Sequence, residues 1–141
     1  MRKFTDITLR VLCLSYLVAL SLLLLSEEPL RFFGVDSPLR DLAPRAHFPS
    51  FLVLTILALA ARWTMPQWAV ISCLVTYAGA TEFLQAFVPG RSPSIVDGLH
   101  NLAGIAVGCT VCWIVVGVGI LVSRGFNRRG VVLVNGENTS Q

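Results

Sequence analysis

The sequence predicts an all-α fold, a polytopic membrane protein built as a four-transmembrane-helix bundle with both termini cytoplasmic. Three observations carry this prediction. The 141 residues are 55% hydrophobic and only 13% charged, with a mean hydropathy of +0.72. A soluble domain carries about 25% charged residues. A soluble fold this poor in charge could not cover its surface, whereas a bilayer can serve as the missing solvent. The apolar residues also gather into four runs of roughly membrane-crossing length, and the bases are shared unevenly between the two ends of those runs. One domain is the natural count at this length.

The first run covers residues 8–25. It follows Arg2 and Lys3 as a signal peptide would, but Ser26-Glu27-Glu28-Pro29 offers no small-x-small cleavage site. It is read as an uncleaved helix. The second run, 48–65, is shorter, because Arg62 interrupts its end. A long basic side chain there can snorkel to the interface, with Trp63 and Trp68 as interfacial anchors. The third run covers 67–87. The fourth covers 102–122, in a helix that begins near Ser94. A helix needs roughly 20 residues to cross about 30 Å of hydrocarbon, and the first, third and fourth runs meet that. Residues 1–130 are expected to form the membrane domain, and 131–141 a flexible tail.

Orientation follows from the bases. Arg2, Lys3, Arg10, Arg62, Arg124, Arg128 and Arg129 fall on one side, and Arg31, Arg40, Arg45 and Arg91 on the other. Seven against four places both termini in the cytoplasm. The net charge of +3 comes without a basic stripe interleaved with aromatics, which argues against a nucleic-acid partner. Cys13, Cys73, Cys109 and Cys112 all lie within apolar runs, so Cys109-x-x-Cys112 reads as two small apolar residues on a helix.

Against this background the polar residues of 82–101 are out of place. Polar groups beside lipid are costly, and they usually mark a functional site facing the bundle interior or a water-filled cavity. Glu82 and Gln85 are three apart and share a helix face. Asp97, Asn101, Gly104 and Gly108 form one stripe, polar in its outer half and small in its inner half. The small half lets another helix approach closely. His47 begins the second helix at the same depth. His47, Glu82, Gln85, Arg91, Asp97 and Asn101 are therefore expected to converge at the outer surface. Ser94 and Asp97 also suit a helix start, as N-cap and first-turn acid. A metal could be held by His47, Glu82, Asp97 and His100, but their spacing is not diagnostic of one, and the sequence does not identify a cofactor.

The ordered set Glu82-x-x-Gln85, Pro89-Gly90-Arg91, Asp97 and Asn101-x-x-Gly104-x-x-x-Gly108, with His47-Phe48 before it, resembles the VanZ-like family of small bacterial membrane proteins. The resemblance covers about residues 40–120. This chain has Pro44-Arg45-Ala46 before the histidine, where the family often has an Asp-Lys pair. The family takes its name from a protein associated with resistance to the glycopeptide teicoplanin, and the resemblance implies a cell-envelope role.

Three functions fit these residues. In the first, the polar site binds a membrane lipid or a lipid-linked cell-wall component. Gln85, Arg91 and Asn101 would hold the ligand, with Arg91 pairing a phosphate or carboxylate. In the second, the protein is an enzyme acting on a lipid-linked precursor. Glu82, Asp97 and His47 would then carry the acid–base chemistry. In the third, the cluster only locks the bundle. A proton-coupled transporter fits less well, because the polar residues stop at one side of the bilayer.

Overall fold

The computed structural model describes the backbone of residues 2–26, 43–89 and 93–137, and the side chains of 4–26, 46–89 and 93–124. Among the described residues there are four helices and no strand: α1 (Arg2–Leu25), α2 (Ala43–Ala60), α3 (Gln67–Gln85) and α4 (Ile95–Glu137). The fold is all-α, as the sequence predicts. Among the described residues, two stretches are long and apolar enough to cross a membrane, Phe4–Leu25 and Ile95–Arg124. The apolar part of α2 is the shorter Ala46–Ala60. The 19 residues of α3 include Gln67, Thr76, Thr81, Glu82 and Gln85, which dilute its hydropathy.

By packing, the chain divides into two units, Met1–Cys109 and Thr110–Gln141. The backbone of α4 stays helical to Glu137, past the start of the expected tail at Val131. Gly125 and Gly130, weak helix formers, do not end it.

Within the first unit the helices alternate in direction. Tyr16 Oη donates to Ser50 O at 3.3 Å, and Arg10 Nε reaches Ala61 O at 3.2 Å, so α1 and α2 are antiparallel. Ser21 Oγ lies 2.8 Å from Tyr77 Oη, and Gln85 Nε2 donates to Leu24 O at 3.1 Å, so α1 and α3 run together. Asn101 meets His47, and Gly108 meets Thr55, so α4 runs along α2. The C-terminal ends of α1 and α3 and the N-terminal ends of α2 and α4 therefore gather at one end. The core between them includes Leu20, Phe51, Leu54, Leu74, Ala78 and Ile105. Phe4, Ile7, Val11, Leu14, Val18 and Leu22 are exposed along α1. Such an apolar stripe is a liability in water and is at home against lipid.

The small half of the α4 stripe faces α2. A Cβ on Gly104 would stand 2.5 Å from Phe48 O and 3.0 Å from Leu52 N. One on Gly108 would stand 2.7 Å from Thr55 Cβ. Hydrogen in place of a side chain is thus what allows the two backbones to meet.

At its other end α2 stops where Arg62 takes φ 46°, a left-handed conformation uncommon outside glycine. A helix end leaves its last carbonyls without partners. Arg10 donates to Ala61 O and, at 2.5 Å, to Arg62 O. Trp63 Nε1 donates to Ala58 O at 2.9 Å, and the Arg10 guanidinium lies 5.6 Å from the Trp63 ring. Trp63 thus caps a helix as well as flanking a turn, while Trp68 is exposed.

Candidate functional site

Glu82 lies in the last turn of α3, beside the first turns of α4. Its Oε1 accepts from Asn101 Nδ2 at 3.0 Å. Its Oε2 accepts from the backbone N–H of Ser94 at 3.4 Å. Ser94 is the N-cap of α4, and its Oγ accepts from the N–H of Asp97 at 3.3 Å. In a capping box the acid three residues on would reach back to the cap's own N–H. Here Glu82 supplies that acceptor from a neighbouring helix. The positive end of the α4 dipole favours a carboxylate at this place.

Asn101 is fully buried one turn before Gly104, and it joins two helices to its own. Its partners fix how its amide is turned. A carboxylate oxygen facing an amide at hydrogen-bond distance accepts from the nitrogen, so Nδ2 points to Glu82 and Oδ1 to His47 Nδ1, 3.0 Å away. The amide oxygen only accepts, so His47 Nδ1 carries the hydrogen. His47 Nδ1 also lies 3.7 Å from Glu82 Oε1. Side chains from α2, α3 and α4 thus form one chain, His47–Asn101–Glu82.

The three members differ in access. His47 is 2% exposed and Asn101 0%, whereas the Glu82 side chain is 14% exposed. Glu82 is therefore the member that faces outward, and the other two stand behind it. It looks into a groove of about 580 Å³ between α3 and the start of α4. Val75, Ala78, Gly79, Phe83, Ala86, Leu99 and Leu102 line it, and Ser94 and Gly98 sit beside the carboxylate. Among the described residues of that lining, Glu82 is the one titratable side chain. A Cβ at Gly98 would meet Glu82 Cγ at 3.6 Å, an ordinary contact. A Cβ at Gly79 would meet nothing within 4 Å, so the groove is open there.

The other expected site residues are placed differently. Gln85 is buried, but its amide donates to Leu24 O and ties α3 to the end of α1. Asp97 faces His100 at 4.0 Å, with His100 half exposed. The set His47, Glu82, Asp97 and His100 thus falls into two pairs. Among the described residues, no three His, Cys, Asp or Glu side chains come together to hold a metal. Arg91 lies outside the described residues. The groove itself went unread in the sequence. Its only signal there is the small triplet Ala78-Gly79-Ala80 ahead of Glu82.

Compared with known proteins, residues 21–116 match a family model described as VanZ/LLP1, which covers more than half of the chain. No curated protein and no solved structure matches the chain.

Proposed function

This chain belongs to the VanZ/LLP1 family of membrane proteins, and from that premise we propose that it binds an amphipathic cell-envelope component at the outer face of the bacterial inner membrane. In this reading all four helices cross the bilayer and both termini are cytoplasmic. The alternating helix directions and the seven-to-four distribution of bases support that topology. The end that gathers His47, Glu82 and Asn101 is then the outer one.

One observation carries the binding reading. Two buried side chains hold a carboxylate at the edge of an apolar groove. A polar group fixed by buried partners beside an apolar cleft is the usual makeup of a small-molecule site, and about 580 Å³ lies within the range of roughly 300–1,000 Å³ for such sites. An enzyme acting on a lipid-linked precursor is the alternative, and the fixed tautomer of His47 favours it, because an oriented imidazole is what a general base requires. The 2% exposure of His47 weighs against it.

Purified protein in detergent, titrated with a panel of amphipathic envelope lipids and lipid-linked precursors, tests both. Binding without turnover is expected, and Glu82→Gln should weaken it by about tenfold, the size of a lost charge-assisted hydrogen bond. Product release would favour the enzyme. Neither binding nor release, together with an Asn101→Ala variant that unfolds more easily, would leave the cluster with a structural role only.

A further inference from the structure

We propose that the α3–α4 groove takes a single lipid chain and that the head group joined to it carries an ammonium, which pairs with Glu82. This rests on the reading of Glu82 as the ligand-facing residue. The groove offers a chain an apolar path past Val75, Gly79 and Leu102, with open space at Gly79. The polar end of that path presents acceptors. Among the described residues, Asn101 Nδ2 and the Ser94 N–H both point at the carboxylate.

A carboxylate has about four lone-pair sites, and these two donors use two of them. The remaining sites face a cleft with little polar lining, where an unpartnered acceptor is costly. A head group bearing N–H donors and a positive charge satisfies them. A phosphate set directly at the end of the chain would bring acceptor against acceptor and charge against like charge. The groove therefore selects for an amine at this position.

Three amphiphiles with the same chain separate the possibilities: oleylamine, monoolein and oleyl phosphate, titrated against the full-length protein in nanodiscs by native mass spectrometry. Oleylamine should bind about tenfold more tightly than monoolein, and oleyl phosphate weakest of all. Glu82→Gln should erase that order. Gly79→Leu, which fills the open part of the groove, should weaken all three. Should Gly79→Leu fail to fold, Leu99→Trp fills the same groove from α4.

Monoolein or oleyl phosphate binding as tightly as oleylamine overturns the ammonium assignment. Unchanged binding in a folded groove-filled variant overturns the groove. If Glu82→Gln loses the envelope ligands while the three amphiphiles show no order, this inference fails and the proposed site stands. If Glu82→Gln alters neither, both fall.

Discussion

The amide of Asn101 offers a donor to Glu82 and an acceptor to His47, each at 3.0 Å. Asparagine alone among residues of this size presents both at once in a fixed plane. Asn101→Asp would set a second acceptor against the Glu82 carboxylate, and Asn101→Ala would leave a buried imidazole N–H without a partner. Interhelical hydrogen bonds in membranes are worth roughly 0.6 kcal/mol on average and up to about 1.7. Asn101→Ala should lower stability by about 1–2 kcal/mol once the stranded donor is counted, and Asn101→Asp by at least as much. Glu82→Gln, whose Oε1 still accepts from Asn101, should lower stability less than either. Unfolding titrations in mixed detergent micelles would measure all three, and a Glu82→Gln loss larger than that of Asn101→Ala would contradict the network. That His47, Glu82 and Asn101 come together could be expected from the sequence, because each is a polar residue beside an apolar run. Gln85 looked the same. Its partner is the carbonyl of Leu24, and a backbone acceptor on another helix leaves no trace in a side-chain pattern.

At the scale of helices, the spacing of Gly104 and Gly108 announces a close approach without naming the helix that makes it. The structure gives α2, whose backbone at Phe48 and Leu52 comes against Gly104. The contrast with Gly79 gives a test of opposite signs. Alanine in a helix interior is favoured over glycine by about 1 kcal/mol. At Gly79, where a Cβ would meet nothing within 4 Å, Gly79→Ala should gain up to that amount. At Gly104 the same methyl would stand 2.5 Å from Phe48 O, and backbone cannot turn aside as a side chain can. Gly104→Ala should therefore destabilise, by about 1–3 kcal/mol. Equal effects at the two positions, read as shifts in unfolding midpoint, would reject the close α2–α4 packing.

For the whole molecule, composition was enough to read the class. Few charges and long apolar runs point to helices, and among the described residues four helices form, two of them long and apolar enough to cross a membrane. The division after Cys109 and the helical backbone to Glu137 were not readable, since packing decides both and the sequence shows no break at either place. The proposed topology is tested with single cysteines placed in a chain freed of its four native ones. Pro89 and Thr64 are both exposed, in the connections at opposite ends of α3. A membrane-impermeant maleimide should label Pro89→Cys in intact spheroplasts, and Thr64→Cys only after permeabilisation. The reverse pattern would turn the molecule over and put the Glu82 groove in the cytoplasmic leaflet.

The His47–Asn101–Glu82 chain also bears on how the protein is made. Asn101 lies 54 residues after His47 and 19 after Glu82, so a ribosome releases both partners before it releases the amide that joins them. Proteins emerge from the N-terminus onward, and α2 and α3 therefore reach the translocon with their polar ends unpaired. Arrival of α4 completes the site and seals the three helices in the same step. A chain stalled or truncated before α4 would display an orphan histidine and an orphan carboxylate near lipid. The last helix to be made is therefore the one that closes the His47–Asn101–Glu82 chain.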